Sequence, residues 1–137
     1  MKPIQIQLTS VIRHLESEAE KYEMWLEGHL TEKRGAYYIR YTEEQEAGSI
    51  TTMIKITDDT ALIMRSGAVM MRLPLQKDVP QAGHYNSDAG QMPLAIDTQA
   101  LEHDIARGQF TTTYELAISG QKVGSYTLTI NYTEVGQ

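Results

Sequence analysis

The feature that most restricts this chain is alternation. Ile4, Ile6, Leu8 and Ile12 alternate with Gln5, Gln7 and Thr9. In ITTMIKI, Ile50, Ile54 and Ile56 share one side; in YYIRY, Tyr37, Ile39 and Tyr41 do. Near the end, Phe110, Thr112, Tyr114, Leu116 and Ile118 form one face, and Tyr126, Leu128, Ile130 and Tyr132 another. A period of two sends successive side chains to opposite faces of a strand, so these runs predict half-buried β-strands. Met24, Leu26 and Leu30 lie opposite Glu23, Glu27 and His29, with Trp25 an apolar exception on the polar side.

The breaks between runs are short. Gly35, EEQEAGS, TDD, KDVPQAG, DAG and SGQK each supply turn residues. HLESEAEK reads as a solvated connection with room for one helical turn. HYNS is a short strand, and Pro93 puts QMPLAID at an edge or a bulge, because proline cannot donate to a ladder. TQALEHDIARG reads two ways. Thr98 caps a short helix that buries Leu101 and Ile105 and stops at Gly108, or the segment is extended. About ten strands with short connections and no repeat predict an antiparallel meander. An open sheet of that size leaves two exposed edges, and closure removes them. The expected fold is all-β, a closed barrel of about 8–10 strands in a single domain, residues 1–137; a two-sheet sandwich is the alternative.

One stretch, LIMRSGAVMMRL, carries two arginines inside an apolar run. With Ser66-Gly67 as a two-residue hairpin loop, Ala61, Ile63, Arg65, Ala68, Met70 and Arg72 share a face. Leu62, Met64, Val69, Met71, Leu73 and Leu75 share the other. The wholly apolar face belongs inside and the arginines outside, since a buried guanidinium without a carboxylate is costly. A one-residue change of loop inverts every face. Arg65 then points inward, with Glu43 as the partner.

Composition narrows the function. The net charge of −6 opposes binding to phosphate backbones and to anionic membranes. No stretch approaches the ~20 apolar residues of a membrane span. With no cysteine and with glutamine and threonine interrupting the first apolar run, the expected location is cytoplasmic.

The segments YYIRYTE, TTMIKI, LIMRSGAV, YNSDAGQMPLAIDT, GQFTTTYELAI and YTLTINY occur in one order. Together with Tyr41-x-Glu43, Thr51-Thr52, Arg65-x-Gly67, Gly90, Gly108 and Tyr114 they resemble the YwiB-like family of small bacterial proteins, over roughly residues 2 to 133. The resemblance implies a closed lipocalin-like (calycin-like) barrel and a bacterial cytoplasmic source. It implies no reaction and no catalytic residues.

The chemistry-bearing residues are sparse. His14, His29, His84 and His103 have no metal-ligand spacing, so no metal site and no cofactor are expected. No nucleophile or phosphate-loop motif is present, and Ser66, Ser87, Ser119 and Ser125 read as turn or rim residues. Eight tyrosines and seven methionines, against one Phe and one Trp, are the unusual feature. Tyrosine brings apolar surface with a hydroxyl, and methionine adapts to irregular shapes. A lumen lined by them with Thr52 and Thr112 fits a small apolar or amphipathic ligand. The residues expected at its lumen or mouth are Tyr41, Glu43, Met64, Arg65, Met71, Tyr85, Tyr114 and Tyr126. The competing reading is a barrel filled by its own side chains. It acts through its outer wall on a protein partner or a second copy, with Trp25, Ile63 and Met70 as the contact patch. A third reading, an enzyme, requires Glu43, Arg65 and His84 to meet at the barrel mouth.

Overall fold

A computed structural model describes residues 1–14, 18–87 and 89–135. Ten strands alternate with short turns: β1 Lys2–His14, β2 Glu20–Lys33, β3 Ala36–Gln45, β4 Gly48–Ile56, β5 Thr60–Gly67, β6 Met70–Gln76, β7 Gln81–Ser87, β8 Gly90–Asp104, β9 Gln109–Ile118 and β10 Gln121–Glu134. Every pairing between these strands is antiparallel, and each strand neighbours the next in sequence. The meander closes by pairing β1 with β10, from Ile4 opposite Glu134 to His14 opposite Gly124. This is the expected closed barrel, with ten strands, and closure is what removes the two edges of so large a sheet.

The turns follow their chemistry. Arg34-Gly35 and Ser119-Gly120 are two-residue hairpin loops with both φ values positive, at 53° and 80° and at 53° and 81°. That is the twist-matched turn in which glycine takes the second place at no steric cost. The alternating residues of β1, β3, β4, β9 and β10 point inward as their period requires. Ile4, Ile6, Leu8, Ile39, Ile54, Phe110 and Ile130 are buried and fill the middle of the barrel. The outer wall carries Arg40, Lys55 and Arg72 at mid-strand, with His29 beside Arg40.

One open reading is resolved, one expectation is met and one is overturned. The segment TQALEHDIARG is extended: β8 runs to Asp104, and residues 105–108 form the turn into β9. A bulge at Gln99, between Thr98 and Ala100, moves the inward parity from Thr98 to Leu101 and His103, and Thr112 Oγ1 donates to the Ala100 carbonyl beside it at 2.8 Å. Of HLESEAEK, residues 14–21, His14 ends β1 and Glu20 and Lys21 begin β2, while residues 15–17 lie outside the described residues. Pro93 sits where β8 has β7 as its ladder partner but lies before the β9 ladder, which starts at Ala95; it occupies a local edge.

The overturned expectation concerns the arginines. Arg65 pairs with Met71, so five residues connect the last cross-strand pair, and Ser66-Gly67 is not the loop. Gly67, at φ 110°, remains opposite Ile50 of β4. A Cβ there would stand 2.2 Å from the Ser49 carbonyl oxygen, so the residue must be glycine. β5 is therefore inverted relative to the two-residue-loop reading. Ala61, Ile63 and Arg65 face inward with Met71, Leu73 and Leu75, while Met64, Met70 and Arg72 face out. Ile63 is buried and cannot belong to an outer contact patch.

Candidate functional site

Two features of the structure combine polar and apolar groups in a way that binding requires. The first lies inside the barrel. Tyr41, Thr52, Arg65, Met71 and Tyr85 follow one another across β3 to β7 on the inner face. Glu43, one inward step along β3 from Tyr41, is 8% exposed. Arg65 Nη2 donates to Glu43 Oε1 at 3.4 Å, and Gln45 Nε2 donates to Glu43 Oε2 at 3.1 Å. The Arg65 side chain keeps 28% of its surface in water. The pair thus sits between the packed interior and solvent, where a guanidinium can enter because its carboxylate is waiting. Tyr114 and Tyr126 stack beneath it with ring centroids 5.4 Å apart.

Burial governs the tyrosines. It pushes the Tyr41 phenol up to about 12, helped by the Glu43 charge and opposed by the Thr52 hydroxyl and Arg65. The Thr52 hydroxyl is close enough to act on Tyr41 but makes no well-aligned hydrogen bond of its own. Burial also raises Tyr114, with Tyr126 and Tyr41 adding to it, and raises Tyr126.

Seven of the eight residues expected at the lumen therefore do face inward: Tyr41, Glu43, Arg65, Met71, Tyr85, Tyr114 and Tyr126. Met64 does not; it lies on the outer wall and is 39% exposed. His84 also leaves its strand on the outer side, opposite Arg72 and Pro93, whereas Glu43 faces inward; Arg65, the partner of Glu43, lines the same hollow as His84.

The second feature was not legible in the sequence. On the outer wall, His29, Arg40, Met53, Met64, Arg72 and His84 stand side by side on β2 to β7, each the cross-strand partner of the next. Between this row and Thr51, Ser66 and Met70 runs a groove of about 260 Å³. Arg65 and Met71, whose side chains leave their strands on the inner side, also line it. Methionine supplies most of its apolar lining. Among the described residues neither Arg40 nor Arg72 makes an ion pair. A second hollow of about 270 Å³ shares Arg72 and continues past Leu62, Pro74 and Gln81.

At the opposite end of the barrel His103 Nε2 lies 2.8 Å from the Tyr132 hydroxyl and packs edge-on against Tyr37, ring centroids 5.2 Å apart. Burial lowers the His103 pKa, with Asp104 opposing, so the ring is neutral near pH 7. Its inward position depends on the β8 bulge, which simple alternation from Thr98 does not foresee. No group of three or more potential ligands for a metal ion occurs among the described residues.

Comparison with known proteins agrees with this architecture. The chain is 26% identical over 132 residues to the uncharacterized β-barrel protein YwiB of Bacillus subtilis (strain 168), covering 95% of this chain and 92% of that one. It superposes on the crystal structure of the ywiB protein from Bacillus subtilis with a TM-score of 0.83 at 24% identity. That match covers 98% of this chain and 93% of the other, and at that identity it speaks for the fold. Residues 6–130 match the family described as Domain of unknown function (DUF1934), and the chain belongs to that family.

Proposed function

We propose that this barrel is a binding protein and that its site is the outer-wall groove, which takes a small amphipathic anion. The observation that carries the reading is the coincidence of Met53, Met64 and Met70 with Arg40 and Arg72, which make no ion pair among the described residues, on an otherwise acidic protein. Arg40 and Arg72 are three strand steps apart, about 14 Å at ordinary strand spacing. An anionic head at Arg72 and His84 then leaves a tail lying across Met64 and Met53. Charge-assisted hydrogen bonds from a guanidinium fix the head, and flexible thioethers accommodate the tail.

The lumen is the weaker place for such a ligand. Aliphatic side chains and Phe110 pack its middle, and the Arg65 charge is already met by Glu43. The Arg65–Glu43 pair acts on this reading as a latch that closes one mouth.

The test is equilibrium binding of 1-anilinonaphthalene-8-sulfonate, an aromatic sulfonate, followed by its fluorescence and displaced by decanoate. Near-UV circular dichroism checks that the fold is intact. Arg72→Glu is expected to weaken binding about tenfold or more, the worth of one charge-assisted bond. Lys122→Glu, a change of the same charge on β10, is expected to leave it unchanged. Equal binding by Arg72→Glu and the native protein would overturn the assignment, as would equal losses in both variants.

A further inference from the structure

The barrel is closed along most of its wall, but several strand ends run past their neighbours, and the longest such edge among the described residues is on β2. β2 pairs with β1 from Glu20 to Leu30, whereas its ladder with β3 begins at Gly28. Glu20–Glu27 therefore has a neighbour on one side and, among the described residues, none on the other. Eight residues of strand present an edge of about 27 Å. Unpaired backbone groups of this kind recruit another strand, and proteins usually blunt them with charge.

Here the charges have both signs, and their order is selective. Lys21, Glu23, Trp25 and Glu27 face outward; Met24 and Leu26 are partly buried on the other side, and Trp25 is 71% exposed. In an antiparallel self-pairing, opposed residues must share a face, so only alternate registers exist. With Met24 opposite Met24, Lys21 opposes Glu27 twice and Tyr22 opposes Leu26 twice, and Glu23 meets Trp25. The neighbouring registers put Glu23 opposite Glu23, or Glu23 opposite Glu27. Like charges directly opposite are destabilising, so one register stands out. Lys21 lies 3.3 Å from Glu23 of its own strand, with both side chains largely in water, so exchanging that contact costs little.

We propose that the Glu20–Glu27 edge of β2 pairs antiparallel with the same edge of a second copy, centred on Met24, giving a two-fold dimer. Such a contact is isologous: each Lys21 meets the other copy's Glu27 by the same symmetry operation.

The chain contains no cysteine, so one substitution reports on the axis. Opposed Cα atoms in an antiparallel pair lie about 4.5 or 5.5 Å apart, within disulfide range. Met24→Cys is expected to form a disulfide-linked dimer under mild oxidation much faster than Ser49→Cys, an exposed control on β4. Sedimentation supplies a readout free of core changes. Lys21→Glu is expected to weaken association about tenfold, because two opposed pairs turn from attractive to repulsive. Lys21→Glu with Glu27→Lys is expected to restore it. Crosslinking of Met24→Cys no faster than the control, or failure of the double exchange to recover the single one, would overturn the proposal.

Discussion

Replacing Arg65 by methionine tests the inverted register of β5 in energetic terms. The change removes the guanidinium and keeps most of the aliphatic volume. It leaves the Glu43 carboxylate, 8% exposed, with Gln45 as its remaining hydrogen-bond partner. Breaking a fully buried pair costs about 3–5 kcal/mol, whereas an exposed pair is worth about 0–1 kcal/mol. Arg65 keeps 28% of its side chain in water and makes one bond of 3.4 Å, which places the loss between these limits, at about 2 kcal/mol. In urea unfolding that is a drop of roughly 1 M in the midpoint for a slope of about 2 kcal/mol/M. Replacing both partners, Arg65→Met with Glu43→Leu, removes the stranded charge and is expected to recover most of the loss. A single substitution costing less than about 0.5 kcal/mol would mean that Arg65 stands in water, as the two-residue-loop register has it, and would refute the reasoning.

Three further outcomes follow from the packing. A Cβ on Gly83 would stand 2.2 Å from the Arg72 carbonyl oxygen and 2.9 Å from Ile96 Cδ1, where β6 and β7 share only three ladder pairs. Gly83→Ala is expected to cost about 2 kcal/mol or more in urea unfolding, and a loss below about 0.5 kcal/mol would show that the seam is slack. Tyr41 and Tyr114 have folded pKa values raised above the unfolded value of 10. Their contribution is intact below pH 10 and lost as pH rises through the raised values, by about 1.4 kcal/mol per pH unit for each group that has ionised only in the unfolded chain. A plot of urea midpoint against pH should fall above pH 10, and less steeply in Tyr41→Phe. For His103 the folded value is lowered, so the unfolded chain takes up the proton first, and stability should decline as pH falls below about 6.5. Nuclear magnetic resonance of the imidazole should show it titrating below that point.

Much of the barrel is readable because a period of two has one meaning when one face is buried. The inward sets of β1, β3, β4, β9 and β10 need nothing but alternation, and closure follows from the cost of open edges. Parity fails where a residue count changes inside a strand or a loop. Ser66-Gly67 has the chemistry of a tight hairpin, yet Gly67 serves the β4 side and the connection is five residues long, so Arg65 changes face. The bulge at Thr98–Ala100 brings His103 to Tyr132 in the same way. The groove was hidden for a different reason. Arg40, Met53, Met64, Arg72 and His84 become neighbours through four successive ladders, and an error in any one register scatters them.

The central claim, that an amphipathic anion occupies the outer groove, is tested most directly by methyl resonances of the methionines. These side chains report separately on the wall and the interior. With Met methyl groups labelled and decanoate titrated in, Met53, Met64 and Met70 are expected to shift saturably together, while Met24 and Met92 stay still. Shifts led by Met24, which packs against the core, would place the ligand in the lumen and contradict the account. Resonances that all remain unmoved would contradict binding itself.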